Sequence, residues 1–319
     1  MIEIIKNNLG IQFSKYFSSA GIASIILIVA AYVLIAVNGL NYGVDFRGGA
    51  EITIKFGKDI DLDLLRTSLK ERGFPNASVQ ALGAADEHSF IVKVLAQESN
   101  LNQVTQKISE SLQQHFSAQG VEIRKTDIVG PKAGAELRAA GFKAMVYAML
   151  AIMIYIGLRF DFKYAPGAVV STLHDASFVL GLWSVLGLEF SLQTVAAILT
   201  VIGYSVNDTV VIYDRVREHE DKNPGLPMVT VFNNAVNETL SRTILTAGAT
   251  LLSSIAMYIW GGASISDFFL AMSIGIVVGT YSSIYIAAPI TIFLDKYNIG
   301  NNKSANAGGS GAVRSTSLV

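Results

Sequence analysis

Six stretches of this chain are apolar for long enough to cross a hydrocarbon core, which takes about 20 residues of helix. They are residues 21–40, 139–158, 165–188, 192–213, 243–260 and 268–294. In lipid every backbone amide needs an internal partner, so each span must be a helix. Charged residues make up only 15% of the 319, against roughly 25% in soluble chains. That charge is unevenly placed: residues 41–138 hold 12 of the 24 Lys+Arg and 13 of the 25 Asp+Glu. The reading is a polytopic six-helix membrane protein with one polar insert after the first helix.

The same inventory excludes several functions. A formal net charge of −1 gives no basic surplus for nucleic acid. Cysteine is absent, which removes disulfides, thiolate metal sites and cysteine nucleophiles. His88, His115, His174 and His219 lie far apart and show no metal-ligand spacing. No metal and no bound cofactor is expected. The first span exceeds the roughly 7–15-residue apolar core of a signal peptide and lacks an A-x-A site, so it reads as an uncleaved anchor.

Orientation follows from Lys and Arg in the short loops. Lys6, Lys15, Arg159, Lys163, Arg215, Arg217, Lys222 and Lys296 all fall on one side of the six spans, and the loops at 187–191 and 261–267 carry neither residue. The expectation is cytoplasmic termini (1–20 and a flexible tail, 295–319) and an extracytoplasmic insert at 41–138. The tail holds a Gly-Gly-Ser-Gly run that reads equally as native or as an added linker.

Within the insert, residues 50–56 (AEITIKF), 77–82, 89–95 and 121–129 read as strands, and 61–72 and 101–116 have helical spacing, with a polar turn at 83–88. The order β-α-β-β-α-β is that of an α+β ferredoxin-like domain. Between spans four and five, residues 227–240 place Met228, Val231, Phe232, Ala235, Val236 and Thr239 on one face. That pattern predicts a short helix lying in the cytoplasmic interface.

Polar groups inside apolar spans are costly and point to function. Span three contains His174-Asp175 near mid-membrane, and span four contains Asn207-Asp208 nearer its cytoplasmic end. Span five opens with Ser241-Arg242-Thr243 and continues the polar stripe through Thr246, Thr250 and Ser254. Asp208 and Arg242 match in depth, so one helix can present the carboxylate to the guanidinium. Burial raises an unpaired carboxylate's pKa and a nearby guanidinium lowers it, so alternation between the two can load and release a proton. The competing reading is a static Asp–Arg bridge. His174 reads as a hydrogen-bonding partner rather than a proton carrier.

Span six repeats small residues every fourth position at Ala271, Gly275, Gly279, Ser283 and Ala287. Such a stripe lets helices approach closely, for fixed packing or for sliding. Residues 43–49 (GVDFRGG) are not a nucleotide loop, because neither G-x-G-x-x-G nor G-K-[ST] is present. With Gly43, Asp45, Gly48 and Gly49 they read as a tight structural turn from span one into the first strand, and 129–134 as the matching return.

Residues 43–49, 129–131 with 134–137, Leu173-His174-Asp175, 203–208 (GYSVND) running to Asp214-Arg215, and 240–243 (LSRT) resemble, in order, motifs of the SecF branch of the SecD/SecF protein-export family. The resemblance runs from about residue 13 to 294. It implies half of a resistance-nodulation-division unit, completed to twelve helices by a SecD partner. It also implies an auxiliary role in Sec-dependent export, using the proton gradient (or sodium) to move unfolded exported polypeptide. SecYEG, YajC and YidC are the further partners it implies, in a bacterial inner membrane. In the family the carboxylate and arginine matching Asp208 and Arg242 are implicated in proton passage. Three other readings stand beside it. A small-molecule or lipid exporter half-unit predicts a ligand cavity in the insert, and a non-conducting scaffold tolerates Asp208→Asn. An intramembrane protease using Asp175 and Asp208 lacks the G-x-G-D motif around either.

Overall fold

The computed structural model describes residues 10–75, 77–82, 88–95 and 101–297. Lys6, residues 83–87 of the expected turn at 83–88, and the tail beyond 297 lie outside them. Among the described residues six helices are long and apolar enough to cross a membrane. They are α1 (Phe17–Asn38), α5 (Pro131–Arg159), α6 (Ala165–Leu186), α7 (Leu192–Lys222), α8 (Met228–Trp260) and a last span built from α9 (Ala263–Ser282), a π turn (Ser283–Ala287) and α10 (Ala288–Lys296).

Between α1 and α5 come β1 (Asn41–Tyr42), α2 (Val44–Arg47), β2 (Gly49–Lys55), α3 (Leu62–Glu71), β3 (Ser78–Leu82), β4 (Ser89–Leu95), α4 (Leu101–His115) and β5 (Glu122–Val129). The sheet order is β3-β4-β2-β5, antiparallel throughout. With α3 and α4 on one face this is the ferredoxin-like arrangement. Alternation along the strands buries Ile52, Ile54, Val92 and Val94 against Leu65, Ile108 and Leu112. Asp61 caps α3 by accepting from the Asp63 amide at 2.8 Å.

The insert is fastened to the bundle where it leaves the membrane. Strand β1 pairs in parallel with β6 (Glu189–Phe190), in the link between α6 and α7. The segment expected to be a plain turn contains a helical turn, α2. Gly48 ends α2 at φ +86°, and a Cβ there would stand 2.7 Å from the Pro131 Cα. Of the two glycines expected to supply unusual backbone angles, only Gly48 has a positive φ. Asp45 reaches across to accept from the Leu192 amide at 3.1 Å, placing a negative charge at the α7 N-terminus. Lys93 of β4 meets Glu189 at 3.2 Å and Glu51 of β2 at 3.8 Å.

Three helices differ from the sequence expectation. The stretch at 227–240 does not form a separate interfacial helix; α8 runs unbroken from Met228 to Trp260. No Gly or Pro interrupts it at Ser241-Arg242-Thr243, and its apolar face packs into the bundle. Val231, Phe232, Ala235 and Val236 are buried with Tyr213, Val216 and Phe13. Asn237 and Asn233 on the same helix clamp the N-terminal segment. Asn237 accepts from the Ile11 amide at 2.9 Å and donates to its carbonyl at 2.8 Å, and Asn233 accepts from the Ser14 amide at 3.1 Å. Helix α7 continues to Lys222, nine residues beyond the apolar span, because Glu218 pairs with Arg215 and Lys222 at helical spacing. Helix α5 starts early, at Pro131, where proline's missing N–H costs nothing.

Candidate ion-coupling site and partner face

Helix α6 is buried along much of its length and brings His174 and Asp175 to the middle of the bundle. Asp175 is fully buried. Its Oδ2 accepts from Ser205 Oγ of α7 at 2.6 Å and from Ser282 Oγ of α9 at 2.8 Å, and its Oδ1 lies 3.0 Å from His174 Nδ1. One carboxylate therefore joins three helices. Two serine hydroxyls satisfy one carboxyl oxygen and the imidazole faces the other, so the buried polar group is partnered on both oxygens.

Asp208 sits three residues beyond Ser205 on α7, also buried. Among the described residues its one side-chain hydrogen bond is a long one, 3.4 Å from Thr280 Oγ1 of α9. Arg242 is close enough to act on the carboxylate through charge, but the two form no ion pair. The static Asp208–Arg242 bridge is thus absent from this conformation. Among the described residues Arg242 has no hydrogen bond or ion pair, and its side chain is exposed on the outer surface of α8. Asn207 is likewise turned outward on α7.

Both lie at exposed positions of helices that pack against each other. On α7 the exposed positions Ala196, Thr200, Gly203 and Asn207 recur at helical spacing, and on α8 Arg242 and Thr246 are exposed. The polar stripe of α8 divides. Thr246 and Thr250 donate to carbonyls of their own helix, whereas Ser254 is buried and donates to the Phe269 carbonyl of α9 at 3.0 Å.

The small-residue stripe of the last span faces α7. A Cβ at Gly275 would run into Val201, and one at Gly279 would stand 2.9 Å from the Ser205 Cβ. Ala271 is buried beside them. The four-residue repeat stops at Ser283, because Ser283 and Ala287 lie in the π turn, not an α-helix. Pro289 supplies the cause: it lacks the N–H that would close an α-turn on Tyr285.

At the end of the bundle away from the insert, Lys163 is buried rather than a free surface charge. It meets Glu220 Oε1 at 2.7 Å and Asp295 Oδ1 at 2.8 Å, tying the 3-10 turn just before α6 (Phe162–Tyr164) to α7 and α10. Sequence reasoning missed Ser205, Thr280 and Ser282. Each is a hydroxyl within an apolar span, the signal that singled out the stripe on α8.

A family model described as the protein export membrane protein SecD/SecF, C-terminal, matches residues 107–297, and the SecD/SecF GG motif matches 33–60. The chain is 40% identical over 296 residues to the protein translocase subunit SecF of Rickettsia bellii, covering 92% of this chain and 97% of that one. It is 41% identical over 274 residues to the same subunit of Magnetococcus marinus, covering 86% and 88%. The crystal structure of SecDF from Thermus thermophilus, a translocon-associated membrane protein, superposes with a TM-score of 0.75 at 31% identity. That match covers 93% of this chain and 40% of the SecDF chain, so the present chain spans well under half of the solved protein. The chain belongs to the SecD/SecF family of protein-export membrane proteins.

Proposed function

We propose that this chain is an auxiliary, non-enzymatic subunit of Sec-dependent protein translocation. It pairs with a SecD-related partner and couples ion passage at Asp208 to movement of the exported chain. In this reading it is a multi-pass protein of the bacterial cytoplasmic membrane with both termini inside and the α/β insert outside. Protons are the coupling ion of choice, SecYEG is the channel served, and unfolded polypeptide is the cargo.

The observation that carries the reading is the outward-facing pair Asn207 and Arg242. Charged and strongly polar groups at membrane depth are tolerated against protein or water, not against lipid tails. Two of them on the adjacent helices α7 and α8 mark a face that a second helical unit covers. Asp208 lies just behind that face, buried and without an ion pair. A partner closing over it completes a water-poor path in which its proton can be exchanged. Helix α9, which holds Thr280 against Asp208 and Ser282 against Asp175, is the element through which a change at one carboxylate reaches the rest of the bundle. The junction formed by β1, β6, Asp45 and Lys93 carries that change to the insert.

The chain has no cysteine, so single cysteines report cleanly on the face. Thr200→Cys and Thr246→Cys are expected to crosslink to a SecD-related partner in native membranes, while Val37→Cys on the exposed side of α1 does not. Crosslinking from Val37 alone would contradict the assignment of the face.

A further inference from the structure

Asp175 and Asp208 are both buried in the bundle, yet their surroundings differ in kind. Asp175 takes hydroxyl hydrogens from Ser205 at 2.6 Å and from Ser282 at 2.8 Å. Those lengths are near those of a hydroxyl donating to an ionised oxygen. Among the described residues Asp208 has no such donor: Thr280 Oγ1 stands 3.4 Å from its Oδ2. A buried charge with so little compensation is costly, whereas a neutral carboxyl asks for less.

The hydrogen count at Thr280 decides which way that contact runs. A threonine hydroxyl has one hydrogen to give and two lone pairs to receive. Its Oγ1 lies 2.9 Å from the Ile276 carbonyl, one turn back on α9, and 3.4 Å from the carboxyl of Asp208. The shorter contact is to a group that can only accept, so the hydrogen goes there. What Oγ1 then presents to Asp208 is a lone pair. Only a protonated carboxyl can use it.

We propose that Thr280 is a positioning residue for proton loading at Asp208. It accepts from the protonated carboxyl and, when the proton leaves, turns its hydroxyl from the Ile276 carbonyl to the carboxylate. This rests on the reading of Asp208 as the coupling carboxylate. Both acceptors already lie within 3.4 Å of Oγ1, so rotation of the hydroxyl alone makes the exchange. The exchange breaks a bond within α9 just before its end. There Ser283 donates to the Thr280 carbonyl at 3.0 Å, and Ser282 holds Asp175. The π turn starts at Ser283, and such turns recur at functional sites. Arg242 of α8 is the charged group that acts on Asp208. On α6, His174 and Asp175 face each other at 3.0 Å.

The test is infrared difference spectroscopy on the chain with its SecD-related partner in proteoliposomes. It follows the carboxylic C=O band that Asp208→Asn removes, at the pH where half of that band is present in the unaltered complex. Thr280→Val is expected to lower the ratio of protonated to ionised Asp208 about five-fold, the worth of one net hydrogen bond. Thr280→Ser, which keeps the hydroxyl, restores the ratio, and Thr280→Ala gives the same sign as Thr280→Val. A ratio that rises in Thr280→Val shows a hydroxyl serving the ionised carboxylate and overturns the proposal. An unchanged ratio, or opposite signs from Val and Ala, overturns it as well. Those outcomes leave proton flux through Asp208 standing, so they are distinct from failure of the coupling reading. Absence of an Asp208-dependent band at every pH overturns both, without needing any Thr280 variant to fold.

Discussion

Ser282 donates a hydrogen bond to Asp175 from the last residue of α9, immediately before the span widens into its π turn. Ser205 of α7 donates to the same oxygen, so the carboxylate fixes the positions of α7 and α9 against α6. Interhelical hydrogen bonds in membranes contribute about 0.6 kcal/mol on average and up to about 1.7. Ser282→Ala is therefore expected to destabilise the chain by about 1 kcal/mol in a denaturing-detergent titration. Asp175→Ala, which strands Ser205 and the Nδ1 of His174 and leaves Ser282 only its bond to the Gly279 carbonyl, should cost more. Titration curves that coincide with the unaltered protein would show that the node is not structural.

Gly275 and Gly203 separate packing within the chain from packing against a partner. Gly275→Val forces a side chain into Val201 and is expected to cost about 1–3 kcal/mol, the usual penalty of overpacking. At Gly203 an added Cβ meets no atom within 4 Å among the described residues. Gly203→Leu should leave the isolated chain as stable as before yet reduce its co-purification with a SecD-related partner. Undiminished pairing by Gly203→Leu would place the partner elsewhere.

The Lys93–Glu189 contact at 3.2 Å is the one ion pair among the described residues that joins the sheet of the insert to the α6–α7 link. Lys93→Ala leaves Glu51 and Glu189 facing each other without a cation. Spin labels on Lys70→Cys in the insert and Trp260→Cys in the bundle should then report a broader distance distribution. An unaltered distribution would mean that β1, β6 and Asp45 hold the insert alone.

Glu51 gives a pH dependence with a defined sign. Burial pushes its carboxyl above the ordinary value; Lys93 opposes this, and Asp45, Asp127 and Glu189 add to it. A raised carboxyl binds its proton more tightly in the folded state. Its favourable contribution is fully present below the ordinary glutamate value of about 4.3 and is lost as pH rises through the raised folded value. Glu51→Gln should stabilise the chain at neutral pH, with the difference shrinking as pH falls. Thermal unfolding at a series of pH values measures it, and a difference that grows toward acid would reverse the assignment.

The spans and the insert were legible because their signals are local. Strand alternation in 89–95 and the apolar runs follow directly from which faces are buried. The continuity of α8 was hidden because Val231, Phe232, Ala235 and Val236 form the same stripe whether they face a lipid interface or Tyr213. Sequence depth aligned Asp208 with Arg242, but depth says nothing about rotation about the helix axis. Rotation turns Arg242 outward and leaves Asp208 with Thr280. Ser205 and Ser282 become partners of Asp175 only through the tertiary fold, 30 and 107 residues away in the chain. The π turn had a visible cause in Pro289, while the stripe of small residues running through it pointed to a regular helix.

The central claim is that Asp208 carries the coupling ion. It is tested most directly by proton flux into proteoliposomes holding the chain with its SecD-related partner. The unaltered complex should acidify the lumen when a gradient is imposed, and Asp208→Asn should abolish that flux while partner binding and thermal stability persist. Flux through the folded, paired Asp208→Asn complex equal to that of the unaltered one would contradict the account.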